Sequence, residues 1–465
     1  MRNDEVIQEL WKLCNILRDE GISYTNYLDE VSYMLCIRLL KEDGVSYAKD
    51  VWDELMEFAR KNVGKEIINQ YNMALCRMET VADEVIRNFF SFARSYIRTP
   101  RHLLMLLEEI DALDWNDREK IIVFYEGIMM KRYYSQGGGQ HITPPVLSRV
   151  LIELIAPQKR EECHDPACGS YRFMIDAYEY VCHNNSLEEK EEQRKVSSNF
   201  SGTELNMQVF RMAVMNALLH HMTADGIWRG NTFEEEKVLH ASKKYDVIIA
   251  DPPLGGHLTI DRYQWPEWRV VPTSNNALNF LQYIYHSLKI RGDEGARASV
   301  IVSDSILFEE GAEQKVRQDL MYKCNLHTVL RLPGGILLPY SAVCINVLFF
   351  NRGKEARENT KEVYFYDMRT DMPKFGMINQ IKYEHFEKFI HAYQAKYRKQ
   401  VQDERWTCYS REEIRQRGDT LDLGLLEKKI DLDLEKEIDP CESGEKIALY
   451  LEEAAALVKS VIRGL

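Results

Sequence analysis

Four consecutive residues, Asp251, Pro252, Pro253 and Leu254, carry the chemistry most specific to this chain. They belong to the run YDVIIADPPLGG (residues 245–256), in which a short apolar stretch passes straight into a stiff turn. A conjugated exocyclic amine, such as a nucleobase NH2, is a poor nucleophile, and it attacks a methyl sulfonium only when acceptors hold it in line. The Asp251 side chain can supply one acceptor and the carbonyl of Pro252 another. Both prolines fix φ and remove donors, which leaves carbonyls aimed at the site. Preorganised acceptors of this kind act through position and electrostatics, so no metal is required. Alone, the tetrapeptide reads equally well as an ordinary strand that ends in a loop.

Three further stretches precede it in order. In DPACGS (165–170) a tight turn opens a helix, and the unpaired amides at a helix start suit the carboxylate of an amino-acid cofactor, with Asp165 accepting from its ammonium. In GTELN, Glu204 ends a second strand, where a doubly wound fold recognises ribose hydroxyls; it could equally cap the helix that follows. In GNTF (230–233), Asn231 can bond an adenine amine and Phe233 can cover its ring, although Asn-Thr pairs are commonly plain turns.

Such loops need strands to carry them. Residues 162–164, 200–203, 246–250, 298–302, 327–330, 343–350 and 363–367 read as strands alternating with helices, the pattern of a parallel sheet covered on both faces. The last two are expected to form a hairpin at the sheet edge. Before them, Val6, Leu10, Leu13 and Leu17 recur at helical spacing, a second amphipathic run starts at Asn26 or Tyr27, and residues 120–134 carry a third. The expected fold is therefore α/β. A doubly wound, mostly parallel, seven-stranded sheet (136–372) follows an all-α domain (1–135), and a charged helical region (373–465) ends in LEEAAALVKSVIRGL.

Composition sets limits on function. The chain has 465 residues, 45% of them apolar, enough for two or three domains with sizeable cores. Lys and Arg number 60 against 73 Asp and Glu, a net charge of −13, which argues against gripping nucleic acid over the whole surface. No run approaches a membrane span and no secretory segment is visible at the start, so a cytoplasmic location is expected. The 10 cysteines form no C-x2-C pair, and reduced thiols rather than zinc ligands or a disulfide framework are expected. Arg87, Arg94, Arg98 and Arg101 recur at near-helical spacing around Phe89, Phe90, Phe92 and Tyr96, either as a phosphate-facing stripe or as the solvated side of a helix.

The ordered set of motifs resembles the modification subunit of type I restriction-modification systems, whose family methylates DNA adenine at N6 with S-adenosylmethionine. The similarity runs through ELWKLCNILRDEGISYTNYLDEVSYML, GQHITPPVL, DPACGS, GTELN, RGNTF, DPPLGG, TSNNALNFLQYI, KCNLHTVLRLPGGIL and YDMRTDMPKFG. It implies that Thr143 contacts the cofactor, that Asp165, Cys168 and Gly169 form its methionine loop, and that Glu204 holds its ribose. Asn231 is implied at its adenine and residues 251–254 at the flipped base. Implied partners are double-stranded DNA, a separate specificity subunit docked on the C-terminal helix, a second copy of the chain and a motor nuclease.

The departures fall in the same places. Tyr171 and Arg172 stand where the family has glycines, Leu254 where it has an aromatic, Asp251 where it usually has Asn, and His141 and Ile142 where aromatics are usual. A Tyr or Arg side chain can fill the space that glycine leaves for a cofactor. Leucine also stacks on a base less well than an aromatic ring. Either the enzyme is divergent but active, or the cofactor and base pockets have decayed together and the chain binds DNA and its partner without methylating. The substitutions favour the second, with Arg172 free to hold another anion in the old loop. Methylation of a protein glutamine is a third, weaker alternative.

Overall fold

The computed structural model describes residues 2–61, 64, 66–136, 143–233, 243–256, 269–290, 295–338, 341–354, 357–376 and 379–424. His141, Ile142 and the C-terminal docking helix expected within 425–465 lie outside them. Seven helices come first: α1 (Arg2–Asp19), α2 (Tyr24–Glu42), α3 (Ser46–Lys61), α4 (Glu66–Met78), α5 (Glu84–Phe90), α6 (Pro100–Ala112) and α7 (Arg118–Gln136). The second begins two residues before Asn26 because the Ser23 hydroxyl caps it, accepting from the Asn26 amide. It is the central helix of the bundle, buried at Leu28, Val31, Met34, Leu35 and Leu39.

Packing around α2 buries a carboxylate. Glu30 is fully covered and accepts from the Ser95 hydroxyl at 2.8 Å and from the amides of Tyr96 and Ile97. Burial outweighs these bonds and lifts its pKa to about 7. A folded-state value above the unfolded one stabilises the fold below pH 4.5, and the effect is lost as pH rises through about 7. Replacing Glu30 by Gln should therefore flatten the dependence of melting temperature on pH in that window, by about 3 kcal/mol at most. Parallel wild-type and variant curves would contradict it.

The arginine series does not lie on one helix. Arg87 is on α5 and Arg101 on α6, while Arg94 and Arg98 sit in the irregular link that Glu30 holds. Phe89 and Phe90 are buried, whereas Phe92, at φ 59°, is 76% exposed. Helical spacing was broken because Ser91 leaves the helical region and Pro100 starts a new helix.

After α8 (Pro145–Ile155) the chain alternates: β1 (Cys163–Asp165), α9 (Arg172–Asn184), α10 (Lys190–Ser197), β2 (Phe200–Glu204), α11 (Met207–Leu219), β3 (Ile227–Arg229), β4 (Val247–Ala250) and α12 (Asn276–Ser287). There follow β5 (Arg297–Ser303), α13 (Asp304–Phe308), α14 (Ala312–Lys323), β6 (Cys324–Arg331), β7 (Ile345–Arg352), β8 (Glu362–Asp367), α15 (Glu387–Gln394), β9 (Trp406–Ser410) and α16 (Arg411–Gln416). The strands form one sheet in the order β3-β2-β1-β4-β5-β7-β6-β8-β9. Apolar clusters cover both faces, and the cluster beneath α8 and α9 runs on into the helical bundle.

Two expectations are corrected here. The sheet is mixed and nine-stranded rather than seven-stranded, because β3 and β9, each short and set in polar sequence, were not visible as strands. The expected hairpin is also absent: β7 lies antiparallel between β5 and β6, and β8 pairs with β6 and β9. The residues of β7 are almost all buried, so it needs a neighbour on each side and cannot sit at an edge.

Candidate active site

The expected site loops leave the carboxyl ends of three adjacent parallel strands, β2, β1 and β4. Asp165 ends β1, is 2% exposed and accepts from the Ala167 amide at 3.0 Å. The Cys168 amide donates to Thr203 O at 3.0 Å and the Tyr171 amide to Cys168 O at 2.7 Å, which folds the loop back onto β2. Gly169 takes φ +53°, and a side chain built there would meet nothing within 4 Å, so its backbone borders open space. Cys168 is buried and packs on Gly202, where a Cβ would come within 2.6 Å of its own Cβ.

Glu204 ends β2 and accepts from backbone amides, that of Asn206 at 2.7 Å and those of Gly169 and Leu205. Burial raises its pKa against these bonds, and Arg132 of α7 acts in the opposite direction. Asp165 is raised well above the carboxylate range, first by burial and then by the like charges of Asp251 and Glu204. Three carboxylates at three neighbouring strand ends are therefore close enough to act on one another. That arrangement is costly by itself and favourable around a ligand bearing an ammonium and a sulfonium. The residues present fit such a group.

Thr143 donates from Oγ1 to Asp251 Oδ2 at 2.5 Å, so it belongs directly to the Pro-Pro turn. Pro252 is buried, Pro253 exposed, and Leu254 half-buried against the main core. Asn231 accepts from the Phe233 amide at 3.1 Å, and the adjoining Thr232 hydroxyl donates to Pro166 O at 2.6 Å, which ties this turn to the DPACGS loop. The Phe233 ring is buried against Phe280, with centroids 4.6 Å apart, so it packs the core.

The side chains at the two substituted glycine positions both pack against neighbouring elements. Tyr171 holds φ 69° and ψ 17°, a left-handed conformation that explains why glycine suits the position. Its ring is fully buried beside β2, 3.0 Å from where a Gly202 Cβ would stand, and so fills the core under the loop. Arg172 pairs through Nη1 with Glu126 of α7 and through Nε with Asp176, both at 2.9 Å, and Asp176 also accepts from Ser148 of α8. With two carboxylates on its guanidinium, Arg172 acts as a clamp between the bundle and the sheet, and its expected role as an anion holder in the loop is not supported. Arg172→Ala should lower unfolding free energy by about 1–3 kcal/mol, less than a fully buried pair because the side chain is 23% exposed. Urea denaturation with a Glu126→Gln double-mutant cycle measures it, and additive losses would rule the clamp out.

Asn276 was not anticipated. Its amide donates to Gly256 O at 3.2 Å, and its buried Oδ1 has no partner among the described residues, which places a spare acceptor beside the Pro-Pro turn. The adjacent asparagines of TSNNALNF, one of which caps α12, were the available signal. Among the described residues no helix is long and apolar enough to cross a membrane.

A family model described as N-6 DNA Methylase matches residues 117–431. The chain is 34% identical to the type I restriction enzyme StySPI methylase subunit of Salmonella potsdam, over 84% of this chain and 77% of that protein. Its identity to the EcoKI methylase subunit of Escherichia coli K12 is also 34%, with the same coverage. The crystal structure of the EcoKI M protein matches 98% of this chain and 96% of its own, at 30% identity and a TM-score of 0.52. A chain from a structural study of the assembly and conformational transition of a type I R-M system has the same fold, with a TM-score of 0.73 at 24% identity over 99% of both chains.

Proposed function

Because the chain belongs to the N-6 DNA methylase family, among the methylase subunits of type I restriction enzymes, we propose that it transfers the methyl group of S-adenosylmethionine to the N6 amine of adenine in double-stranded DNA. The mutual approach of Asp165, Glu204 and Asp251 at the ends of three adjacent parallel strands carries this reading. When bound, S-adenosylmethionine supplies the electrophilic methyl. Asp165, Cys168 and Gly169 hold its amino-acid end, Glu204 its ribose hydroxyls, and Asn231 its adenine. Asp251 and the Pro252 carbonyl accept from the base amine and point its lone pair at the methyl, while Pro253 and Leu254 wall the base. Thr143 fixes the Asp251 rotamer through its 2.5 Å bond. As the amine gains a bond its protons become acidic, and the Asp251 carboxylate is placed to accept one.

The working unit is a complex in which residues 1–135 form a helical domain, 136–372 the methyltransferase domain, and 373–465 dock a specificity subunit. A second copy and a motor nuclease complete it. Leu254 favours the alternative, a subunit that binds DNA and partner without methylating, because extruding a base costs a few kcal/mol and leucine returns little of that by stacking. Calorimetry with S-adenosylmethionine and its demethylated product, followed by single-turnover methylation of unmodified duplex with the partner present, separates the two. Cofactor binding with methyl transfer supports catalysis; absence of both leaves the binding role.

A further inference from the structure

The opposite end of the sheet from Asp165, Glu204 and Asp251 holds a second concave site. There β7 ends while β6 and β8 begin, and a cavity of about 680 Å³ opens between these strand ends and the segment after α15. That volume is typical of a pocket for one small molecule. Its lining includes Arg352, Lys361, Lys396 and Arg398, and among the described residues none of these four has a carboxylate partner. The acid in the lining, Glu362, is already engaged by Lys399 and by the Tyr364 hydroxyl at 2.8 Å.

One of the cations is built in. Arg398 donates from Nε to Tyr393 O at 2.9 Å and lies over the Tyr393 ring at 4.5 Å, with Nη1 3.3 Å from Thr328 Oγ1. Desolvated guanidinium groups without counter-charge cost stability, and an anion bound beside them offsets that cost. In a chain of net charge −13, so many uncompensated cations around one cavity mark a place for negative charge.

We propose that this cavity binds a small molecule of nucleotide size carrying at least one phosphoryl group, at a site separate from the methyl-transfer hollow. The planar guanidinium of Arg398 and the ammonium groups of Lys361 and Lys396 receive the phosphoryl oxygens, and the Asn325 carboxamide on the same wall meets the polar edge of the remainder. A concave pocket suits a compact ligand better than a rigid duplex, whose phosphates follow an outward curve.

Calorimetry on the full chain with ATP, ADP, inorganic phosphate and a short DNA duplex tests this. ATP should bind, with inorganic phosphate weaker and competitive. Arg398→Ala should weaken ATP binding by about tenfold or more, as should the exposed pair Lys361→Ala with Lys396→Ala. Affinity for S-adenosylmethionine should not change. If Arg398→Ala does not fold, the double lysine variant decides. No binding of ATP or phosphate at millimolar concentration, or equal binding by the variants, would overturn the proposal. So would variants whose only loss is duplex binding, which would assign the cavity to the DNA backbone.

Discussion

Replacing Asp251 by alanine should lower single-turnover methylation of duplex DNA by about 10²–10³-fold, the usual consequence of removing one preorganised polar group from a reacting centre. Affinity for S-adenosylmethionine should stay close to wild type, because the proposed function gives Asp251 to the amine and Asp165 to the cofactor. Thr143→Val removes the hydroxyl that donates to Asp251 Oδ2 and should cost a smaller factor in the same rate constant. If the Asp251 variant methylates at the wild-type rate, the Pro-Pro turn is not the reacting centre. If instead it loses cofactor binding, Asp251 belongs to the cofactor and the assignment of the two subsites is wrong.

Asp165→Asn should weaken S-adenosylmethionine binding by about 10–100-fold, the magnitude of a hydrogen bond to a charged group. The same change should raise the melting temperature of the ligand-free chain at pH 7. Burial and the charges of Asp251 and Glu204 lift the Asp165 pKa well above the usual range. A raised folded-state pKa stabilises the fold only below the unfolded value and is lost as pH rises, so at neutral pH keeping this acid buried is a cost. The amide keeps an oxygen for the Ala167 amide and carries no charge. Opposite signs for stability and binding mark a group retained for function. A variant that is both less stable and unaltered in cofactor affinity would instead make Asp165 structural.

The strand-end position of Asp251 was readable beforehand because it follows the apolar run 247–250, while Asp165 and Glu204 follow short, partly polar runs and were placed by the turn and helix signals after them; residues at such ends emerge together when parallel strands align. Thr143 was placed at the cofactor by resemblance, and its bond to Asp251 spans 108 residues, beyond the reach of local pattern. Phe233 illustrates the converse, since an aromatic beside a polar turn looks exposed in sequence yet packs on Phe280 in space. The cation-lined cavity was invisible for the same reason, its lining being drawn largely from β6, β7, β8 and the segment after α15.

By itself, the order of residues determined the α/β class and the succession of candidate site loops, because hydrophobic period, proline stiffness and turn chemistry are local properties. Only the tertiary structure decided which way the departures point. Tyr171 lies under its loop because a left-handed φ turns its ring toward Gly202, and Arg172 reaches Glu126 because the bundle supplies a carboxylate there. Likewise β7 is central because both of its faces and both of its edges must be covered. Side-chain direction and strand neighbours depend on atoms distant in the chain, and no spacing along it encodes them.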